Sequence, residues 1–303
     1  MKKTERENAM STEVASERFR DVDAWSTENA VRAMIEGQMS AVASVMPLSG
    51  IIAEAANAAA ERLVERGRLV YVGAGTSGRL AAQDGIELHP TYGWPDERLV
   101  YMVAGGTKAL LQSAEGAEDD EELGKSQIAN LNVTYNDVVI GVAASGKTPF
   151  TISALACARK NGALVIGIAN NPETPLLDVS DFGIAAGTGS EIIAGSTRMK
   201  AGTAQKAILN ILSTAIMVRL GRVHKGLMVN MVISNNKLRH RGAEIIHLIS
   251  GISMDHAEAA LSAADDHLPT AILMGLGVEK SRAKDLLESH HGQLGASIAA
   301  LGK

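Results

Sequence analysis

The chain has 303 residues, 46% hydrophobic and 21% charged, with a net charge of −5. That length buries a substantial core and allows one large domain or two modest ones. Scattered basic residues and 3% aromatics argue against a nucleic-acid surface, and a single cysteine, Cys157, excludes an internal disulfide.

The N-terminus, Met1-Lys2-Lys3-Thr4-Glu5-Arg6-Glu7, turns polar and acidic at once, without the apolar core of a signal peptide. No later segment reads as long and apolar enough to span a bilayer, so no membrane partner and a cytoplasmic location are expected. The first ~20 residues are expected to form a polar arm. From Asp23 to Gly67 the periodicity is helical, with Pro47 and Gly50 as turn signals, which predicts two or more helices.

Five short apolar runs then alternate with helical patterns: Arg68–Val72, Leu99–Val103, Val138–Val142, Ala163–Ile168 and Phe182–Ala185. Alternation of this kind predicts a parallel sheet covered on both faces, with ligands outside the carboxyl ends of the strands. Helices are expected over Phe150–Lys160, with Cys157 as a small buried residue, and over about Met199–Leu220, apolar enough to be buried against the sheet or a second subunit. Beyond about Leu238, short amphipathic helices are expected over Glu244–Ser250, Asp255–Asp265, Pro269–Leu276 and Glu279–Leu287.

The first strand leads into Gly73-Ala74-Gly75-Thr76-Ser77-Gly78-Arg79. Glycines let backbone approach a ligand, and amides at a helix start favour an anion. The Gly-x-Gly-x-x-Gly spacing also fits a dinucleotide fingerprint, which needs an acidic residue at the end of the second strand. That strand ends Val103-Ala104-Gly105-Gly106 with no carboxylate, so a nicotinamide cofactor is discounted and a sugar phosphate suits the loop better. Two further loops offer hydroxyls: Ala144-Ser145-Gly146-Lys147-Thr148 and Ala194-Gly195-Ser196-Thr197-Arg198-Met199-Lys200. Singly, an N-cap accounts for the second loop better than a ligand and for the first equally well. Together, all three following strand-like runs, they are better explained by one shared anion site. Arg198 and Lys200 near a helix start oppose its dipole and call for a negative partner, Glu191 or a ligand.

Carboxylates form a second set. Glu87 follows the first loop by about two helical turns and precedes Pro90; as residues alone, it reads first as a solvated helix-end charge and second as a catalytic group. Glu115 and Glu118 lie in an acidic run through Glu122, ordinarily a solvated face. Two carboxylates of unequal pKa can nevertheless remove and return protons beside a carbonyl without metal or cofactor. The eight histidines show no ligand spacing, so no metal is predicted. His224 and Lys225 read first as a basic helix C-terminus and second as a reach into a neighbouring subunit's pocket. His89, two residues past Glu87, either tunes that carboxylate or caps its segment.

Four blocks carry a resemblance: Gly73–Leu80, Glu115-Gly116-Ala117-Glu118-Asp119, Ala143–Pro149, and the long Gly195–Lys206 run. With them the chain resembles the N-acetylmuramic acid 6-phosphate etherases, relatives of the glucokinase regulatory protein in the sugar isomerase superfamily. The resemblance implies an α/β fold: a three-layer α-β-α sugar isomerase (SIS) domain with a five-stranded parallel sheet, plus a small helical C-terminal module similar to a ubiquitin-associated domain. On this reading residues 1–50 are the arm and lead-in helices, 51–237 the SIS domain and 238–303 the module. It further implies a homodimer, a phosphorylated amino sugar as substrate and no cofactor.

The implied activity is that of a carbon–oxygen lyase, cleaving the ether between the sugar C3 and D-lactate by elimination and then adding water, in amino-sugar catabolism and cell-wall recycling. The ring-opened aldehyde acidifies the C2 proton, a glutamate removes it, and a protonated carboxyl assists lactate departure. A proton donor of this kind calls for a buried setting. The family's two glutamates fall on Glu87, through the Asp-x-x-Glu pattern from Asp84, and on Glu118. Glu87 is assigned as proton donor and Glu118 as base. Gly75, Thr76, Ser77, Ser145, Lys147, Thr148, Glu191, Ser196 and Thr197 are assigned to the sugar phosphate, with His224 as a contribution in trans. Where the family usually reads Asp-Ala-Ser-Glu-Cys-Pro-Pro-Thr, this chain has Asp84-Gly85-Ile86-Glu87-Leu88-His89-Pro90-Thr91, and Ser190 departs from the usual small apolar residue or proline before Glu191. The competing functions are a non-catalytic sugar-phosphate sensor, which would not need both glutamates, and an aldose–ketose phosphate isomerase, against which the Gly195–Lys206 run argues.

Overall fold

The computed structural model describes residues 11–112, 114 and 116–302. Helices α1 (Thr27–Ala43) and α2 (Ser49–Arg62) lead into β1 (Leu69–Gly73), α3 (Gly75–Ile86), the short α4 (Leu88–Tyr92) and β2 (Leu99–Val103). Then come α5 (Glu121–Leu131), β3 (Val138–Val142), α6 (Pro149–Lys160), β4 (Leu164–Ala169), the one-turn α7 (Pro175–Asp178) and β5 (Phe182–Ala185). The long α8 (Lys200–Arg219) is followed by α9 (Asn236–Ser250), α10 (Met254–Ala263), α11 (Leu268–Gly275), α12 (Lys280–Ser289) and α13 (Leu294–Ala299).

The five expected strands form one parallel sheet in the order β2-β1-β3-β4-β5. Every residue of β1, β3 and β4 is buried, as continuous apolar runs require when both faces are covered. On one face Val70, Val139 and Val165 pack with Phe150 and Leu155 of α6. β1 starts one residue later than the apolar run suggests, because the Asp137 carboxylate takes the Arg68 amide and its guanidinium. Cys157 is on α6 as expected but only half-buried.

Two corrections concern helices. The stretch Thr27–Arg62 is long and apolar enough by length and composition to cross a membrane, contrary to expectation. A 3₁₀ turn at Met46–Leu48 breaks it into helices of 17 and 14 residues, each short of the roughly 20 a span needs. Nor is α8 buried all round: Ala201, Ala204, Ile208 and Leu212 face inward, while Ile211 is half exposed.

The chain forms two compact units: one runs to Gly85 and resumes over Leu99–Ser213, and the other comprises Ile86–Arg98 together with the chain from Thr214. The first contains the sheet. In the second, Ile246, Leu261, Leu268, Ile272, Leu287 and Leu294 share one core. The Ile86–Arg98 segment belongs there because Pro90 O accepts from the Val232 amide, 3.1 Å, and Tyr92 Oη donates to Thr214 Oγ1, 3.2 Å.

Candidate functional site

Parallel strands end on one edge of the sheet, so the turns after β1, β3, β4 and β5 gather there. The turn after β1 is shaped by two glycines in contact: a Cβ on Gly73 would lie 2.9 Å from Gly78 Cα, and one on Gly78 would lie 2.8 Å from Gly73 O. Gly75 opens α3 at φ +52°, in the left-handed region that favours glycine. Among the described residues no side chain bonds to the amides of Gly75, Thr76 or Ser77, so the start of α3 keeps its donors. Thr76 is half-buried and Ser77 buried beside them. Arg79 fixes the opposite wall, with Nε donating to Ala109 O at 2.9 Å and Nη2 to Gln112 O at 3.1 Å.

Glu118 stands on a 3₁₀ turn, Ala117–Asp119, entered through Gly116 at φ +71°. It is exposed, and with Gly75, Arg79 and Ala104 it lines a cavity of about 330 Å³. Glu115 lies outside the described residues. The structure thus brings one candidate carboxylate and the first glycine loop onto one cavity.

After β3, Ser145 Oγ accepts from the Lys147 amide, 3.1 Å, and Lys147 is exposed. Gly146 is forced: a Cβ there would lie 2.2 Å from Thr174 Oγ1. Thr148 holds the N-cap position of α6, yet its side chain makes no capping bond, so the cap reading of this hydroxyl fails on geometry. The third loop behaves differently. Glu191, 1% exposed, accepts from the Lys200 amide at 3.0 Å and the Ala201 amide at 2.9 Å, one bond to each oxygen. The negative partner demanded by the basic helix start is this carboxylate. Ser196 and Thr197 are half-buried in the turn before it.

Two polar groupings escaped the sequence reading. Asn171, just past β4, donates to Ala144 O at 2.9 Å and to Thr12 Oγ1 at 3.0 Å, while Gly195 N donates to Thr12 O at 3.3 Å. Residues at the end of the expected polar arm are therefore tied into the loops at the sheet edge, and Thr12 is fully buried. Asp84, buried on α3, accepts from Tyr71 Oη at 2.9 Å, Asn210 Nδ2 at 2.5 Å and Ser213 Oγ at 3.0 Å. Burial raises its pKa against the pull of those three bonds, and burial with the Asp84 charge raises that of Tyr71. Nothing in the local sequence marks donors more than 120 residues away.

Glu87 and His224 belong to the second unit. Glu87 occupies the N-cap position of α4 without making a capping bond, and it is exposed, not in the buried setting expected of a proton donor. Its segment is held by α4 ending at Gly93, φ +60°, where a Cβ would lie 2.6 Å from Asn230 O. His89 Nδ1 pairs with Trp94 O at 3.0 Å, the segment-closing alternative for that ring. His224 Nε2 is buried without a partner, and the ring lies against Gly295 of its own chain. Burial and then the Lys225 charge lower its pKa. Among the described residues no His, Cys, Asp and Glu group could hold a metal.

Comparison with known proteins places these features. Residues 51–159 match the glucokinase regulatory protein N-terminal SIS domain and 114–215 the SIS domain. A crystal structure described as a phosphosugar isomerase involved in capsule formation, from Bacteroides fragilis, superposes with TM-score 0.51 at 22% identity, covering 66% of this chain and 99% of that one, which speaks to fold alone. The N-acetylmuramic acid 6-phosphate etherase of Deinococcus radiodurans is 45% identical over 89% of this chain and 90% of its own length. That of Photorhabdus laumondii is 40% identical over 97% and 98%. The two glycine-built loops, the parallel sheet and relatives matched nearly end to end agree: the chain belongs to the N-acetylmuramic acid 6-phosphate etherase family.

Proposed function

We propose that this etherase removes D-lactate from N-acetylmuramic acid 6-phosphate with Glu118 as base and Glu87 as acid, needing no cofactor. The observation that carries the reading is Glu118 on one cavity with the free amides at the start of α3. Those amides and the hydroxyls of Thr76, Ser77, Ser145 and Thr148 hold the phosphate, with Lys147 supplying charge. Ser196 and Thr197 bind further along the sugar, and Glu191 orders their turn by closing α8. In the ring-opened sugar the C1 aldehyde acidifies C2. Glu118 takes the C2 proton, the C2–C3 double bond forms, and the C3–O bond breaks as Glu87 gives a proton to the departing lactate oxygen. Water then adds its oxygen to C3 and a proton returns to C2, leaving N-acetylglucosamine 6-phosphate.

The exposure of both glutamates fits a site that excludes water only when substrate fills it. We also propose a cytoplasmic homodimer. Its support is a row of exposed apolar residues on one side of α1 and its following turn: Val31, Ile35, Met39, Val42 and Met46. Ile35→Glu with Met39→Glu should turn the dimer into a monomer by analytical ultracentrifugation.

The decisive experiment is D-lactate release by the wild type, Glu87→Gln and Glu118→Gln. Loss of one acid or base costs about 10²–10⁴-fold. Wild-type release with both variants that far down supports the pair. Wild-type sugar-phosphate binding without release would favour the sensor reading.

A further inference from the structure

The second unit contains a cavity of about 360 Å³, lined among others by His89, Arg222, Asn230, Asp266, His267 and Pro269. None of these was assigned to the sugar phosphate. The backbone at Arg222 is fixed: α8 ends with Gly221 N bonding to Val218 O at 3.1 Å and Arg222 N to Met217 O at 3.0 Å, with Gly221 at φ +73°. This two-bond closure holds the arginine side chain at the end of the helix.

The Arg222 side chain is half-buried, and burial lowers its pKa. Yet among the described residues it makes no hydrogen bond or ion pair. It lies over the Trp94 ring, 5.8 Å from the centroid, but Arg98 is closer on the same ring at 4.1 Å. Stacking satisfies none of five N–H donors, and a half-buried guanidinium without an acceptor carries a desolvation cost that an anion would offset.

The carboxylates of the cavity wall are already engaged. Asp266 pairs with Arg239, and Asp265 Oδ2 accepts from Lys280 Nζ at 2.8 Å. Both carboxylates of the wall are thus paired with cations from outside it, and neither pairs with Arg222. The uncharged side chains around it are engaged, Asn230 Nδ2 donating to Arg222 O at 3.2 Å, so the remaining uncharged donors are backbone amides. His267 is the N-cap residue of α11 without a side-chain cap bond, its Nδ1 meeting Thr270 Oγ1 at 2.7 Å instead, and since Pro269 has no N–H the donors left at that helix start are the Leu268 and Thr270 amides. His89 spends Nδ1 on Trp94 O and lies 3.5 Å from Asp96.

We propose that this cavity binds a small oxyanion, a carboxylate or a phosphate, with Arg222 as the anchoring charge and the start of α11 as the second donor. A planar guanidinium matches both anions through paired N–H groups. The inference stands apart from the proposed lyase mechanism, since none of its residues takes part in proton transfer there.

The test titrates the full chain with sodium phosphate and, separately, sodium acetate across the millimolar range at fixed ionic strength. The readout is the ring carbon-bound proton signal of His267 by NMR, which reports this cavity and not the glycine loops. A saturable shift is expected in the wild type and in Ser77→Ala, with the anion that saturates first identifying the source. Arg222→Gln should weaken it by at least about tenfold, as loss of a hydrogen bond to a charged group does. If Arg222→Gln does not fold, Arg222→Lys, which keeps the charge but loses the fork, should still bind, more weakly. No saturable shift in the wild type with either anion overturns the proposal, as does an unchanged affinity in a folded Arg222→Gln, which would leave Arg222 a stacking cation only.

Discussion

Two helix starts at the edge of the sheet look alike in sequence and differ in chemistry. Gly75-Thr76-Ser77-Gly78 opens α3 and Gly195-Ser196-Thr197 precedes α8; both combine glycine with hydroxyls after an apolar strand. At α3 the first amides have no side-chain partner, whereas at α8 Glu191 takes two of them. Glycine and hydroxyls therefore do not by themselves make an anion site. What decides is whether the fold has already delivered a carboxylate to the amides.

The largest effect on this contrast is expected at Glu191. Glu191→Ala leaves the amides of Lys200 and Ala201 buried without an acceptor, and hydrogen bonds to a charged group are worth about 1.5–3 kcal/mol each. Urea unfolding should show a loss of about 2–4 kcal/mol for the pair. Added phosphate should restore part of it, because the second helix start would then resemble the first. A loss under about 0.5 kcal/mol would mean that water replaces the cap and that the contrast is superficial.

Gly78→Ala comes next. Its Cβ would meet Gly73 O at 2.8 Å and the Gly73 carbonyl carbon at 2.9 Å, backbone atoms that cannot rotate aside. Overpacking of this kind costs about 1–3 kcal/mol, and here it also spreads the amides that would face phosphate. Stability and sugar-phosphate affinity should fall together. Gly75→Ala meets nothing within 4 Å and pays only for φ +52°, about 1 kcal/mol, with affinity changed less than stability. Ser77→Ala should reverse that pattern, weakening phosphate binding by about 1 kcal/mol with a small stability change. Equal affinity losses in Gly75→Ala and Gly78→Ala would show that the Gly73–Gly78 contact does not shape the cradle.

Much of the fold was legible because its signals are local. Continuous apolar runs of 4–6 residues gave all five strands, with shifts of one residue where the Asp137 carboxylate takes the Arg68 amide and where β4 begins at Leu164. Four of the five helices after residue 235 were likewise visible as amphipathic pattern, the six-residue α13 being missed, although α9 starts at Asn236, earlier than its apolar residues suggest, because Asn235 caps it through the Leu238 amide. Less of the candidate site could be read. Glu191 was visible as the compensating charge because it stands nine residues before Lys200. The bonds of Thr12 to Asn171 and of Asp84 to Asn210 join segments too far apart for any periodicity to report. The exposure of Glu87 and Glu118 agrees with the solvated-charge reading of their local sequence and departs from the buried donor that the resemblance implied, since a motif carries identity and spacing but not depth.

The smallest effect lies at the far end of α3, where Asp84 is a buried carboxylate that, among the described residues, has donors but no salt-bridge partner. Burial raises its pKa, three hydrogen bonds and then the Lys206 charge lower it, and the net direction is upward. A carboxyl whose folded-state pKa is raised contributes stability that is complete below the unfolded value, about 3.9, and is lost as pH rises through the folded value. Because the bonds to Tyr71, Asn210 and Ser213 cancel part of the burial, the loss should be modest, less than the Glu191→Ala effect. Wild type and Asp84→Asn should be compared by urea midpoint from pH 4 to pH 7, where only the change in their difference counts, since asparagine also forfeits one acceptor. The wild type should lose stability relative to the variant as pH rises. The opposite slope would mean that the three donors outweigh burial, and that the start of α3 is open to anions while its end is built to hold one of its own.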